Sequence, residues 1–475
     1  MKTTRILPVL ALSLGALSAL GCETTPEPVV PAVVATGAAP VATTAPVATA
    51  APVAPPDPAT VTEGDLTIAS FHGMEIYVKR IPGAEMSSTQ LFLRGGVRDW
   101  SAENAGVEEL ALSAAASGGT EKLDKDAFAA RLAELGSVID GGSGNDYAVL
   151  SAKSLTREWE PTFALFTDAF LHPALPAAEL EVQRQRQLTA LRREEDSPDG
   201  QLRVLVHRSL FTGHPYENRA IGTKESVQKV SLGDARAALG KLRETNRMLL
   251  VVVGDLDPAK VIEKAKAAFG ELPRGNYQGD KLPPIAFSAA KVRVEDKKLP
   301  TNYIESVFPA PGLGDAGYPV AVVGMAVLHD RLFEEVRTKR NLSYAPGAHL
   351  SAGLSIGYGL LYVTAKDPGT TMTVMLDEVK RMKSEPVPDK ELAGAKSVFL
   401  TGYLMENEST DGQGRMLARA RLLGGDYHLA KTLPDRIRAV TAAEVEAFFQ
   451  KQAVHMQTTV LGDPSKIDQS LFGSM

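Results

Sequence analysis

The segment NAGVEELALSAAASGGT, residues 104–120, carries the pattern that decides the fold. Its apolar residues follow the i, i+3, i+4, i+7, i+8 spacing of a helix with one buried face; they are Val107, Leu110, Ala111, Ala114 and Ala115. Four of the five positions hold small or β-branched side chains, which suggests close packing against a neighbour. The segment therefore predicts a core helix.

A neighbouring face of this helix carries Glu109, Leu112 and Ser113, because positions three and four apart are neighbours on a helix. Two ligands one turn apart with an acid between them form a helical metal site. Here the spacing is present, but the residue types are wrong for zinc. The helix is either the remnant of a lost active site or an ordinary core helix.

Length and composition place the chain among multidomain globular proteins. It has 475 residues, 44% of them apolar, and a formal net charge of −6, so two to four domains are expected. No basic patch with interleaved aromatic residues is present, which argues against a nucleic-acid partner.

The N-terminus predicts export and a lipid anchor. A basic start, MKTTR, precedes the apolar run ILPVLALSLGALSAL, which has the length of a signal peptide. Cys22 follows in ALGC and is the only cysteine, which is typical of a bacterial lipoprotein signal over residues 1–22. The alternative is an ordinary secretory signal with an incidental cysteine. Glu23, rather than Asp, favours sorting to the outer membrane.

The rest of the chain divides into a tether and two similar units. Residues 23–63 are rich in Pro, Ala, Val and Thr and predict a disordered linker. Strands followed by helices fill 64–275, and a similar order of elements fills 291–470, with a linker at 276–290. In the first unit NDYAVLSAKSL and MLLVVVGD predict strands, and Asp124 is the expected N-cap of the helix DKDAFAARLAELG. In the second unit PVAVVGMAVLHDRLFEEVRTKR predicts a helix and NLSYAPGAHL a strand. We expect an α+β fold in which helices pack on mostly antiparallel sheets.

Four stretches in sequential order resemble the insulinase/pitrilysin family, which includes the mitochondrial processing peptidases. They are LRGGVRDW with the helix described above, FTGHPYENRAIGT, RMLLVVVGDLDP with AFGELP, and RLFEEVRTKRNLSY. The resemblance covers about residues 65–470. It implies two homologous units that enclose a cavity.

Active members of this family carry His-x-x-Glu-His on the first helix, with a distant glutamate as third zinc ligand. By position, the histidines fall on Glu109 and Ser113, the general base on Leu112 and the third ligand on Ala190. A second-shell glutamate falls on Gln183. None of the five positions has the required group, so the resemblance implies no metal in this chain.

A shifted register does not restore the site, since no two of the eight histidines have His-x-x-x-His spacing. His207 and His214 are the closest pair, about two helical turns apart. We expect these to be surface or hydrogen-bonded histidines, with a zinc site as the minor alternative.

The second unit keeps another part of the family's site. Active members use an Arg and a Tyr to donate hydrogen bonds to bound peptide and to the developing oxyanion. Arg337 and Tyr344 match that motif in VRTKRNLSYA. The alternative is that Arg337 is a solvated residue at a helix end and Tyr344 a core residue of a strand.

The resemblance implies a non-catalytic subunit, inactive alone, that complements a zinc-bearing paralogue in a heterodimer and binds extended peptide by strand addition to a sheet edge. The zinc would belong to the partner. The chain would lie in a bacterial cell envelope, anchored by lipid at the periplasmic face of the outer membrane. The alternatives are a scaffold that binds peptides or envelope proteins without chemistry, and an active metallopeptidase with an unusual site.

Overall fold

The computed structural model describes residues 59–279, 281–351 and 354–472. The signal peptide, Cys22 and nearly all of the Pro/Ala/Thr linker therefore lie outside the described residues. Within them, none of the helices combines the length and the apolar character needed to cross a membrane.

Twelve strands are present in the described residues and form two sheets. They are β1 Val61–Glu63, β2 Leu66–Phe71, β3 Met74–Arg80, β4 Met86–Arg94, β5 Val138–Ser143, β6 Tyr147–Leu155, β7 Met248–Gly254, β8 Lys291–Asp296, β9 Asn302–Pro309, β10 Gly347–Leu350, β11 Tyr358–Ala365 and β12 Gln457–Gly462. The expected linker over 23–63 ends before β1, because that strand already pairs with β2.

Fourteen α-helices are present in the same residues. They are α1 Val107–Ser117, α2 Lys125–Glu134, α3 Trp159–Leu171, α4 Ala177–Asp196, α5 Pro198–Leu210, α6 Lys224–Lys229, α7 Leu232–Leu242, α8 Pro258–Phe269, α9 Tyr318–Leu332, α10 Pro368–Ser384, α11 Asp389–Glu406, α12 Thr410–Leu422, α13 Leu429–Ala439 and α14 Ala442–Gln452. A π-helical turn, Phe333–Thr338, continues α9.

The two sheets have the same strand plan. Their orders are β1-β2-β3-β7-β4-β6-β5 and β10-β11-β9-β12-β8. The order β3-β7-β4-β6-β5 in the first sheet corresponds to the order β8-β12-β9-β11-β10 in the second. In each sheet the first two of these strands are parallel. All other pairs are antiparallel, so the predicted α+β fold with two homologous units is confirmed.

Local chemistry explains most of the elements predicted from sequence. The stripe from Val107 to Ala115 is buried as expected, and Asp124 caps α2 by accepting a hydrogen bond from the amide of Ala127. His72 and Gly73 make the turn between β2 and β3 with positive φ angles of 49° and 86°.

Two predictions near the Arg/Tyr motif need correction. The segment from Asn341 to Leu350 was expected to be one strand, but only Gly347–Leu350 pairs with β11. Asn341 has φ of 51°, a left-handed conformation that breaks an extended chain. The helix expected to run to Arg340 is α-helical only to Leu332 and then widens into the π-helical turn.

The two units are joined by an exchange of helices. Helix α12 of the second unit covers β4 and β7 of the first sheet, where Leu417 and Ala418 are buried against Phe92 and Val251. Helix α5 of the first unit covers β9 and β12 of the second sheet in the same way. Both faces of the central strands are therefore buried, which explains the uninterrupted apolar run of β7.

The exchanged helices begin with the same sequence, Ser-x-Asp-Gly-Gln, at Ser197 and at Ser409. Each serine caps its helix by accepting a hydrogen bond from the glycine amide three residues later. Each aspartate then contacts the sheet of the other unit: Asp199 accepts from the hydroxyl of Tyr362, and Asp411 accepts from Nε2 of Gln90 at 2.8 Å. This repeat was not predicted from sequence.

Charged groups also join the units. Glu75 of β3 accepts hydrogen bonds from Arg421 of α12, at 2.7 and 3.1 Å, and from Arg94 of β4. Burial opposes ionisation of Glu75, but the two arginines outweigh it and hold its pKa below the usual value. The carboxylate is thus charged and fixes α12 to the first sheet.

A second carboxyl lies under α5. Glu305 of β9 is only 8% exposed and faces Asp199 and Arg203 of α5. Burial raises its pKa from 4.5 to about 7; Asp199 adds to the rise and Arg203 opposes it. Because the folded pKa is raised, the contribution of Glu305 to stability is intact below pH 4.5 and is lost as the pH rises to about 7.

We expect Glu305→Gln to remove this loss. Its free energy of unfolding at pH 8 should exceed that of the wild type by about 3 kcal/mol, and the two should agree near pH 4.5. Urea unfolding at both pH values measures the difference. Glu295→Gln, on the exposed strand β8, is the matched control and should change stability by at most about 0.5 kcal/mol at either pH. A difference between wild type and Glu305→Gln that does not vary with pH would contradict the assignment.

Candidate functional site

Helix α1 lies against the edge strand β5. Its backbone approaches the strand so closely that a Cβ atom at Gly141 would lie 2.8 Å from the carbonyl oxygen of Leu112. Only glycine fits at such a distance. The face that carries the former ligand positions is thus turned toward β5.

Two adjacent carboxylates of α1 hold Ser143 at the end of β5. The amide of Ser143 donates to Oε2 of Glu109 at 2.6 Å, and its hydroxyl donates to Oε1 of Glu108 at 2.6 Å. The indole of Trp100 donates to the other oxygen of Glu108 at 2.8 Å. Burial raises the pKa of both carboxyls, although the bonds from Ser143 and Trp100 oppose the rise.

Glu108 was missed in the sequence. It lies three residues before Ala111 and seven before Ala115 of the buried stripe, and that spacing is the signal that could have predicted a buried carboxyl.

The other two former positions on α1 also contact β5 or the core. The hydroxyl of Ser113 lies 3.3 Å from the carbonyl oxygen of Gly141 and donates to it. Leu112, at the position of the general base, is fully buried in the core of the first unit. Glu109 and Ser113 are therefore brought together, but as partners of backbone groups.

Helix α4 crosses α1 and is joined to it by hydrogen bonds to Ser117, and it is joined to α2 by one ion pair. Nε2 of Gln183 donates to the hydroxyl of Ser117 at 2.9 Å and to Glu179 at 2.6 Å, and Lys125 lies 2.6 Å from the same carboxylate. Burial opposes ionisation of Glu179, but the bonds from Lys125, Gln183 and Ser117 prevail and hold its pKa below the usual value.

Ala190 lies apart from the α1 residues. It is half-buried in an open groove of about 540 Å³, lined by side chains of α4 that include Val182 and Arg186. Glu109, Leu112 and Ser113 do not line this groove. The structure thus places two of the four former positions at β5, one in the core and one in a groove along α4.

No group of three or more His, Cys, Asp or Glu side chains in the described part of the chain is arranged to hold a metal ion. His214 uses both ring nitrogens, since Nδ1 accepts from the amide of Tyr216 at 3.0 Å and Nε2 donates to the carbonyl of Pro283 at 2.9 Å. His207 is packed beside Phe211, and burial lowers its pKa to about 4. These contacts agree with two structural histidines.

Arg337 and Tyr344 do come together. The guanidinium carbon of Arg337 lies 4.0 Å from the centre of the Tyr344 ring and 4.7 Å from that of Phe333. The tyrosine is 76% exposed and belongs to no strand, so it is not a core residue. Among the described residues, neither the guanidinium nor the hydroxyl has a hydrogen-bond or ion-pair partner, and both can reach a ligand.

Comparison with known proteins agrees with this picture. A family model described as "Insulinase (Peptidase family M16)" matches residues 75–224, and one described as "Peptidase M16 inactive domain" matches residues 229–399. The first match lies within the first unit, and the second begins in the last elements of the first unit and extends over much of the second.

Individual relatives are distant but cover most of the chain. The chain is 23% identical to "Non-peptidase homolog YmxG" of Helicobacter pylori over 70% of its length and 78% of the relative. It is 20% identical to "Mitochondrial-processing peptidase subunit beta" of Lentinula edodes over 80% of its length and 85% of the relative. A crystal structure of a "peptidase M16 inactive domain" from Pseudomonas fluorescens superimposes with a TM-score of 0.77, at 20% identity, over 84% of this chain and 98% of that one.

We expect that zinc binding can be rebuilt on α1. The double variant Glu109→His with Ser113→His should bind zinc weakly, because two imidazoles one turn apart chelate it. Adding Ala190→Glu should tighten binding by about tenfold if α4 supplies the third ligand. Calorimetric titration with zinc measures the change.

Thr189→Glu is the matched control, since it places a carboxylate on α4 about 100° around the helix from Ala190. It should not tighten binding by the double variant. Equal effects of the two glutamates would contradict the assigned position of the third ligand.

Proposed function

Because this chain belongs to the insulinase family of peptidases, M16, we propose that it is a non-catalytic subunit that complements a zinc-bearing paralogue. It would lend Arg337 and Tyr344 to the partner's active site. There the guanidinium and the phenol would donate hydrogen bonds to the peptide backbone and to the oxyanion that develops on the scissile carbonyl.

One observation carries this proposal: the Arg337–Tyr344 pair is preorganised and free. The stacked ring restricts the guanidinium. Arg337 is half-buried and Tyr344 is exposed, and neither side chain has a hydrogen-bond or ion-pair partner among the described residues, whereas Lys339 and Arg340 nearby pair with Glu335. A π-helical turn positions Arg337, and such turns occur often at functional sites. An arginine with only a structural role would be expected to pair with a carboxylate. Arg337 has no such partner in the described part of the chain and instead stacks on the ring of Tyr344.

The first unit supports the same division of work. Its former zinc positions on α1 are engaged with β5 and the core, and Ala190 offers no ligand atom, so under this proposal the metal comes from a second chain. The Helicobacter pylori relative is itself named a non-peptidase homologue, and another relative is named as a subunit of a processing peptidase.

The second unit offers an apolar surface for such a partner. On α11, Val398 is 68% exposed, Leu404 65% and Met405 58%. Val398 and Met405 are seven residues apart and lie on one face of the helix. Exposed apolar side chains grouped in this way favour protein–protein contact.

We propose further that this subunit lies in a bacterial cell envelope, anchored by a lipid on Cys22 at the periplasmic face of the outer membrane, with residues 23–58 as the tether. The support is the sequence of the export signal and the Pro/Ala/Thr composition of residues 23–58. A lipid anchor and a long tether would let the folded units reach a partner near the membrane.

A scaffold that binds envelope proteins without chemistry is the second candidate, and the exposed face of α11 favours it equally. The two candidates differ in what they require of Arg337 and Tyr344. A scaffold keeps its function when either side chain is removed.

We expect no peptide cleavage by this chain alone and cleavage when the zinc-bearing paralogue is added. Arg337→Ala should lower kcat/KM of the pair by about 100-fold and Tyr344→Phe by about tenfold, since each removes a donor to the transition state. Cleavage of a quenched fluorogenic peptide measures both.

Arg340→Ala is the matched control, because Arg340 is exposed at the end of the same turn and pairs with Glu335. It should leave the rate within about twofold of the wild type. Assembly of each pair is checked by size-exclusion chromatography. Full activity of the Arg337→Ala pair would remove the basis of the proposal.

A further inference from the structure

The free edge of β5 can be read from the hydrogen bonds of its hairpin with β6. The amide of Gly144 donates to the carbonyl of Tyr147 at 2.9 Å, so these two residues form a hydrogen-bonded pair. Hydrogen-bonded and non-hydrogen-bonded pairs alternate along antiparallel strands. Ser143 and Gly141, opposite Ala148 and Leu150, therefore point their backbone groups away from β6.

No strand covers this edge among the described residues, because β5 is the last in its sheet. The outward groups are nevertheless bonded. Glu109 accepts from the amide of Ser143 at 2.6 Å, and Ser113 donates to the carbonyl of Gly141 at 3.3 Å. One acceptor and one donor from α1 thus occupy the places that the backbone of an added strand would take.

The spacing of the two elements makes this match possible. Residues four apart on a helix rise by about 6 Å, and residues two apart on a strand by about 6.8 Å. Glu109 therefore lies beside Ser143, and Ser113 lies beside Gly141. Glu108 adds a second bond to Ser143 through the serine hydroxyl, which holds the end of the strand against α1.

The second unit repeats the arrangement with different residues. The amide of Ser351 donates to the carbonyl of Tyr358 at 2.8 Å, which fixes the phase of the β10–β11 hairpin. Ala348 then points outward from β10, the edge strand of that sheet. Its amide donates to Nδ1 of His329, on α9, at 3.3 Å.

We infer that α1 plugs the edge of β5 in this chain with Glu109 and Ser113, so that an extended peptide does not add to the sheet there. If the proposed function holds, the peptide is gripped by the strand edge of the zinc-bearing partner, and this chain contributes only from its second unit. Under this inference, the peptide adds as a strand to the partner's sheet and not to the first sheet of this chain.

Hydrogen exchange of the intact chain tests the plug directly. The amide of Ser143 should be protected in the wild type without any peptide, and Glu109→Ala should speed its exchange by about tenfold, since one hydrogen bond is lost. Glu109→Gln keeps an acceptor and should remain close to the wild type. Glu134→Ala, an exposed residue at the end of α2, controls for a general effect of removing a carboxylate.

Binding of a fluorescein-labelled peptide of alternating Thr and Val gives the second measurement. The peptide should bind the double variant Glu109→Ala with Ser113→Ala at least about tenfold more tightly than it binds the wild type. Fluorescence anisotropy measures both dissociation constants. The peptide should also restore protection to residues 139–147 of that variant.

Two results would overturn the inference. One is tight binding of the peptide to the wild type with added protection of residues 139–147. The other is rapid exchange of the Ser143 amide in the wild type. Both measurements use this chain alone and therefore test only the plug. The Arg337–Tyr344 proposal is tested separately, by the peptidase activity of this chain mixed with its zinc-bearing partner.

Discussion

The exchange of α5 and α12 is the constraint on which the rest of the structure depends. Each helix leaves its own unit and covers the central strands of the other sheet, so neither sheet can bury its second face alone. A single edge of each sheet, β5 or β10, is then left beside the helix that would carry catalytic residues. The former zinc positions of α1 therefore lie at the β5 edge, whereas Tyr344 lies in the connection that precedes β10.

The elements predicted from sequence are those whose pattern reflects contacts within one unit. The buried stripe of α1 and the alternation of β6 both report burial against neighbours in the same unit. The two-unit plan could be predicted for the same reason, because each unit repeats the order of strands and helices.

The exchanged helices could not be predicted in this way. Helix α5 begins with Pro-Asp-Gly and α12 with Thr-Asp-Gly, which are typical of turns. They become helices because Ser197 and Ser409 cap them and because their apolar faces meet the other unit's sheet. That second condition is a contact between distant parts of the chain, and local periodicity contains no information about it.

For the candidate site, the sequence predicted which groups are missing but not where their replacements point. Ala190 and Leu112 lack any group for zinc chemistry, and that conclusion needed only the alignment of a motif. That Glu109 bonds Ser143 required the phase of the β5–β6 hairpin and the close approach of α1 at Gly141. A glutamate at a ligand position could equally have faced solvent.

The replacement of the family's two histidines and the proposed closing of the edge involve the same two positions of α1. Two adjacent buried carboxylates, Glu108 and Glu109, need donors, and burial raises the pKa of both. The groups that satisfy them are the backbone and side chain of Ser143 and the indole of Trp100. A ligand pair turned toward zinc would release the amide of Ser143 to an incoming strand. In this chain Glu109 and Ser113, at the positions of the family's two histidines, keep that amide and the carbonyl of Gly141 bonded, and under the proposal this closes the β5 edge to peptide.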